Sequence, residues 1–316
     1  MSNDDTQSTS GNVTGIGGDL SFQSGRPDSA FMNISECYVS RSGFTRLFTA
    51  VRYGKRYMLK CLKEDFRYTP VYHQALLKEF EIGLQLDHPN ICRTISMEPV
   101  GELGECIVME CVDGETLEAA VESGNMTEEK ARKTAGQLLD AMEYIHAKQT
   151  VHRDLKPSNI MLTHRGGDVK IIDFGLSDSE TFCVLKIPAG TRGYMAPEQL
   201  KPDAQSDPSA DIYSFGKVLE YMAEAVRSKS LARVGQKCAA ADRARRPADI
   251  AQVRRLMADG ERSFAVVNAL LIALALVLLI VIGAMINSRQ TKQADAVNAD
   301  SVSEKAANKV MDSSLW

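Results

Sequence analysis

Val151-His152-Arg153-Asp154-Leu155-Lys156-Pro157-Ser158-Asn159 is the stretch whose reading decides the fold, and two segments follow it in order: Ile171-Ile172-Asp173-Phe174-Gly175 and Gly190-Thr191-Arg192-Gly193-Tyr194-Met195-Ala196-Pro197-Glu198. Upstream, residues 36–61 carry short β-type runs joined at a Tyr53-Gly54-Lys55 turn, the pattern of antiparallel strands in hairpins. Residues 72–86 change to helical spacing, with Leu76, Leu77, Phe80, Ile82 and Leu84 as the expected apolar face. A strand pair follows at 94–99 and 105–111, across a turn from Gly101 to Gly104. Helices are expected at 116–122 and 127–147, the second opened by Thr127 as N-cap with Glu128 and Glu129 at the positive end of the dipole. Downstream of the three segments, helices are expected at 212–227, 230–240 and 248–257. The reading is α+β: a small β-rich lobe with one helix, then a larger, mainly helical lobe.

Any one of the three segments alone would be weak, because a bare Asp-Phe-Gly occurs by chance. In order and at this spacing, they resemble the catalytic loop, metal-binding segment and activation-segment end of the eukaryotic-type (Hanks-type) serine/threonine protein kinase family. The resemblance implies a bilobal fold, ATP and Mg²⁺ as cofactors, and protein substrates with Ser or Thr acceptors. Phosphoryl transfer needs a carboxylate to orient the acceptor hydroxyl and take its proton, and cations to neutralise the phosphates. By resemblance Asp154 is that carboxylate, Lys156 contacts the γ-phosphate, and Asn159 and Asp173 are the Mg²⁺ ligands. Lys60, at the end of Tyr57-Met58-Leu59-Lys60, would hold the α- and β-phosphates and pair with Glu79 on the following helix, with Glu81 as the competing partner. Met109 falls at the gatekeeper position, Glu110 and Val112 at the hinge, and Met161 beneath the adenine. Ser42, Gly43, Leu47 and Met58 complete the expected nucleotide contacts. Arg153 implies a basic pocket for a phosphorylated loop, with Ser177, Ser179 and Thr181 as candidate acceptors, while Thr191 would brace Asp154 and Lys156.

Departures in both lobes qualify the resemblance. The three pattern glycines of the phosphate loop appear as Ser40, Ser42 and Thr45, which keep small bulk but lose glycine's conformational freedom. The strand alanine is replaced by Met58. Weaker nucleotide affinity or a shifted loop is expected, and a nucleotide-binding pseudokinase scaffold stands as the alternative function. A small-molecule kinase of the aminoglycoside phosphotransferase type is disfavoured by Ala196-Pro197-Glu198. The large lobe is also short between Gly216 and Arg246, the expected partner of Glu198, which puts substrate docking in question.

Composition frames the rest. The 316 residues are 44% hydrophobic and 25% charged, with a formal net charge of −4, giving no basic footprint for nucleic acid. Cysteines at 37, 61, 92, 106, 111, 183 and 238 form no C-x-x-C pair and read as reduced thiols. Residues 1–35, rich in Ser, Gly, Asn, Asp and Thr, read as a disordered segment without a cleaved secretory signal. The kinase-like domain is expected at 36–258, a juxtamembrane linker at 259–263, a transmembrane helix at 264–286 and a short polar tail at 287–316. Residues 264–286 lack any charge; about 23 residues at 1.5 Å each give roughly 34 Å, enough to span a bilayer. Arg245, Arg246, Arg254, Arg255 and Arg262 before the run, against Arg289, Lys292 and Lys305 after it, place the catalytic domain in the cytoplasm and the tail on the far side. Self-association through this helix is a further expectation, although no small-x-x-x-small face stands out.

Overall fold

The computed structural model describes residues 30–40, 43–174, 193–201, 206–259, 270 and 272–285. The small lobe is a five-stranded antiparallel sheet in the order β1-β2-β3-β5-β4, built from β1 (Met32–Val39), β2 (Thr45–Arg52), β3 (Lys55–Leu62), β4 (Thr94–Pro99) and β5 (Glu105–Glu110). Tyr53 and Gly54 both adopt positive φ, 52° and 72°, the backbone that a two-residue hairpin needs to match strand twist. This fixes Arg52 opposite Lys55 and, along the same ladder, Leu47 opposite Lys60. Alternation then sorts the side chains. Leu59 and Cys61 join Phe48, Ala50, Cys106 and Val108 on one face, while Leu62 and Ile107 meet Leu76 on the other.

That second face is covered by α1 (Pro70–Leu84), which starts on a proline where no helical N–H is needed. Its buried residues are Ala75, Leu76, Glu79 and Gly83. The expected apolar face is corrected in two places: Leu77 and Leu84 are 38% and 55% exposed. The stripe that packs is set by the lysine partner Glu79 and by Gly83, against which the Thr94 side chain sits. β1 begins at Met32, inside the segment expected to be tail.

The large lobe holds α2 (Leu117–Glu122), α3 (Glu128–Ala147), α4 (Pro208–Val226), α5 (Lys229–Cys238) and α6 (residues 250–259), with a small sheet of β6 (Gly114–Thr116), β7 (Ile160–Thr163) and β8 (Val169–Ile171). Thr127 caps α3 as expected, its Oγ1 accepting the Lys130 N–H at 3.2 Å. Leu138, Leu139, Met142 and Ile145 of α3 pack with Ile212, Phe215, Val218 and Leu219 of α4 in one core. α4 and α5 touch through backbone: a Cβ on Gly216 would lie 2.5 Å from the Ala239 nitrogen and 2.8 Å from the Gly235 oxygen. The lobes are stitched at 90–92, where Asn90 Nδ2 donates to the Val169 carbonyl (3.1 Å) and Cys92 N–H to that of Ile171 (2.8 Å). Between α4 and Arg246, α5 is the only α-helix among the described residues.

Among the described residues, no helix is long and apolar enough to cross a membrane. Residues 272–285 are helical and span roughly 21 Å at 1.5 Å per residue. Their large side chains, including Leu274, Leu279 and Ile280, are exposed.

Candidate active site

The first cluster is set by strand alternation. With Leu59 and Cys61 committed to the outer face, Lys60 must project towards α1 and the cleft. Its Nζ donates to Glu79 Oε1 at 2.5 Å and to Asp173 Oδ1 at 2.8 Å. Lys60 and Glu79 are buried, while the Asp173 side chain is 42% exposed. Burial works against the ammonium, but Asp173 and then Glu79 outweigh it and hold Lys60 charged above its ordinary value. Burial pushes Glu79 upward, Lys60 opposes this, and Asp173 adds to it. Of the two candidate partners, Glu79 is the one that pairs with Lys60; Glu81 faces solvent and accepts from Lys78 Nζ at 3.0 Å.

The second cluster is the loop 151–159. Asp154 Oδ2 accepts from Lys156 Nζ at 2.7 Å and from Asn159 Nδ2 at 3.0 Å. Asn159 Nδ2 also donates to the Asp154 carbonyl, at 2.9 Å. Asp154 Oδ1 is buried and has no hydrogen-bond partner among the described residues. Desolvation raises the Asp154 carboxyl and Lys156 opposes the shift, so the free oxygen is a more basic acceptor than an exposed aspartate would offer. The Ile172 N–H donates to the Asn159 carbonyl at 3.0 Å, which joins this loop to the Asp173 segment. Phe174 is buried 4.8 Å from the His152 ring, between centroids.

The backbone here is strained and held. Arg153 and Asp173 have φ of 66° and 67°, a region costly for side-chain-bearing residues. Asp211, fully buried in the first turn of α4, accepts the His152 and Arg153 N–H groups, each at 2.8 Å, and pairs with His146 Nε2 at 2.9 Å. Burial alone would raise the Asp211 carboxyl, but these hydrogen bonds and the two histidines hold it below the usual range. Gln199 Nε2 donates to the Arg153 carbonyl at 3.3 Å. Arg246 makes the expected fork to Glu198, at 2.6 and 2.8 Å. Asp211, His146 and Gln199 were not singled out as site residues in the sequence. Their partners are mainly backbone groups distant in sequence.

On the nucleotide side, Met58 lies opposite Met109 with Glu110 on the next rung of β3 and β5, Leu47 lies opposite Lys60 on β2, Val112 follows β5, and Met161 lies on β7. Met109 packs towards α1 with Phe80 and Met97. The Glu110 side chain does more than fit: Oε1 accepts from Lys170 Nζ at 2.6 Å and the Arg93 N–H at 3.0 Å, tying the hinge to β8. In the phosphate loop, Ser40 Oγ accepts the Gly43 N–H at 2.8 Å, and Lys63 Nζ donates to the Ser40 carbonyl at 2.5 Å. A Cβ at Gly43 would collide with the Ser40 side chain. Ser42, Ser177, Ser179, Thr181 and Thr191 lie outside the described residues; Arg153 is described and buried.

These donors fit ATP with a divalent cation. No group of three or more His, Cys, Asp or Glu among the described residues could hold a metal alone. Asp173 and Asn159 supply hard oxygens, the number Mg²⁺ takes from protein when phosphates and water complete its shell. An open cleft between α4 and α5, lined by Glu220, Glu224, Arg227 and Lys229, contains none of these residues.

A β-lobe lysine held by a helix glutamate, above a helical lobe presenting Asp154, Asn159 and Asp173, is the arrangement of a bilobal kinase fold. The protein kinase domain profile matches residues 41–255, more than half of the chain, and the chain belongs to that family. It is 34% identical over 196 residues to a probable serine/threonine-protein kinase of Streptomyces coelicolor, covering 57% of this chain and 28% of the relative. It is 37% identical over 174 residues to mitogen-activated protein kinase kinase 9 of Arabidopsis thaliana, covering 52% and 53%. With CBL-interacting protein kinase 24 of Oryza sativa subsp. japonica, identity is 35% over 172 residues, covering 52% and 37%. The matches thus span between 28% and 53% of these relatives' own lengths. The family uses ATP and a divalent metal.

Proposed function

We propose that the chain is a serine/threonine protein kinase that transfers the γ-phosphate of ATP to protein hydroxyls. The observation that carries this reading is the buried Asp154 Oδ1, without a partner among the described residues, beside Lys156, with Lys60 held charged by Asp173 and Glu79. Asp154 Oδ1 orients the acceptor hydroxyl and takes its proton, and Lys156 and Lys60 place positive charge against the phosphates. Asn159 and Asp173 would hold Mg²⁺, which when bound neutralises phosphate charge. The Ser/Thr preference rests on Lys156 in Asp-Leu-Lys-Pro-Ser-Asn and on the relatives' names. Protein incubated with Mg²⁺ and labelled ATP should phosphorylate itself or a generic basic protein on serine or threonine; label on tyrosine alone would overturn the acceptor class.

A nucleotide-binding scaffold is the second reading, and the Gly43 N–H taken up by Ser40 Oγ favours it, because that amide is then not free for a phosphate. ATP binding without transfer under the same conditions would select it. We further propose that residues 264–286 anchor the chain in a membrane with the kinase domain cytoplasmic. The uncharged run, its apolar side chains and the arginines before it support this. Extraction of membranes at alkaline pH should leave the chain in the pellet, and its release would refute the anchor. Self-association through the same run predicts cross-linked dimers in membranes, and monomers alone would refute it.

A further inference from the structure

Cys61 and Cys106 stand directly opposite each other in the antiparallel β3–β5 ladder. Both are free and buried, in the cluster with Phe48, Ala50, Leu59, Val100 and Val108. Directly opposed residues of antiparallel strands have Cα atoms about 4.5–5.5 Å apart in either type of rung. That lies within the roughly 4.4–6.8 Å that a disulfide bridges, so no strand need move. The adjacent rung is Lys60 opposite Ile107.

Two guanidinium groups lie nearby, that of Arg46 shared with Glu36 and Glu64. Arg46 lies opposite Cys61 on β2. The Arg67 side chain lies against Gly104, whose carbonyl accepts from Cys106 Sγ at 3.4 Å. We propose that Cys61 and Cys106 form a redox-active dithiol, a modification site that a peroxide converts into an intramolecular cross-strand disulfide.

The two thiols are unequal in the sense this chemistry needs. The neighbouring Cys106 thiol first, then Arg46 and Arg67, hold Cys61 below the ordinary thiol range against its burial. Cys106, whose S–H donates to the Gly104 carbonyl, is pushed up by Cys61 and by burial. Cys61 is therefore the attacking thiolate and Cys106 the resolving thiol. The Cys61 sulfur attacks one oxygen of hydrogen peroxide, the O–O bond breaks, and one water leaves as Cys61 becomes a sulfenic acid. Cys106 sulfur then attacks the Cys61 sulfur, loses its proton, and a second water leaves as the S–S bond forms. Two electrons and two protons pass from the dithiol to one peroxide. Cys92 and Cys238 differ: burial pushes each up to about 12, and neither faces another cysteine across a strand ladder.

The test is to treat the folded full chain with hydrogen peroxide, quench with catalase, denature, alkylate the remaining thiols and map peptides without reduction. The expected result is equal loss of alkylated Cys61 and Cys106, one cross-linked peptide joining them, and return of both thiols with dithiothreitol. In Cys106→Ala, Cys61 should instead be trapped as a sulfenic acid by dimedone. The wild-type map stands on its own if that variant does not fold. Full alkylation of both cysteines after peroxide, or linkage of Cys61 to any other cysteine or to a second chain, would overturn the proposal. Peroxide added after denaturation gives the scrambled pattern against which the native pairing is judged.

Discussion

Asp211→Ala tests how the catalytic loop is held. The carboxylate is fully buried and accepts two backbone N–H groups, from His152 and Arg153, as well as pairing with His146. Truncation leaves two buried donors unmet at about 1–3 kcal/mol each, a total near 2–6 kcal/mol. It also removes the restraint on Arg153, whose φ of 66° costs on the order of 1–3 kcal/mol. At roughly 2–4 °C per kcal/mol for a domain of this size, the melting temperature should fall by roughly 5–20 °C. The loop can relieve part of the cost by relaxing, which displaces Asp154, and a misplacement of about 1 Å is worth on the order of 100-fold in rate. Calorimetry and a steady-state transfer assay below the variant's melting range separate the two effects, with kcat falling more than KM rises. A melting temperature within about 2 °C of wild type, together with unchanged kcat, would show that Asp211 does not hold the loop.

Asp211 and Glu198 are both held below the usual carboxylate range in the folded chain. Their stabilisation is therefore present above the unfolded carboxylate value of about 4 and is lost as pH falls through the folded values. The gap in melting temperature between wild type and Asp211→Asn should narrow as pH is lowered, and a gap independent of pH would contradict this. Gly216→Ala drives a methyl into the α5 backbone and should cost about 1–3 kcal/mol in urea denaturation. Gly136→Ala, where a Cβ meets nothing within 4 Å, should instead stabilise α3 by about 0.5–1 kcal/mol. Ser40→Gly removes the hydroxyl that occupies the Gly43 N–H and should lower the KM for ATP about 2–10-fold, the worth of one such hydrogen bond.

Residues that act through side-chain chemistry were legible in the sequence. Lys60, Glu79, Asp154, Asn159 and Asp173 were named by resemblance to the family's segments, and the structure joins them in two adjoining clusters. The Glu198–Arg246 pair was legible from the same resemblance, and the Thr127 cap from its place before two acids at a helix start. Residues that act on backbone distant in sequence were not. Asp211 reads as one acid at a helix start until the fold brings it to the N–H groups of His152 and Arg153. Glu110 was legible as a hinge position, but not the side-chain tie it makes to Lys170. Apolar counting placed Leu77 and Leu84 inside although both are exposed, because periodicity gives a stripe without saying what covers it. The Cys61–Cys106 rung depends on β3 pairing with β5 rather than β4, a non-local choice that no spacing of cysteines reveals.

The most direct test of the central claim is a single-turnover measurement of γ-phosphate transfer from Mg²⁺-ATP, comparing wild type with Asp154→Asn. That variant keeps the shape of the loop and removes the carboxylate that faces the acceptor hydroxyl. The account predicts transfer to serine or threonine by the wild type, and a loss on the order of 100-fold or more in the variant with nucleotide affinity little changed. Transfer at equal rates by both proteins, or none by a wild type that binds ATP, would contradict it.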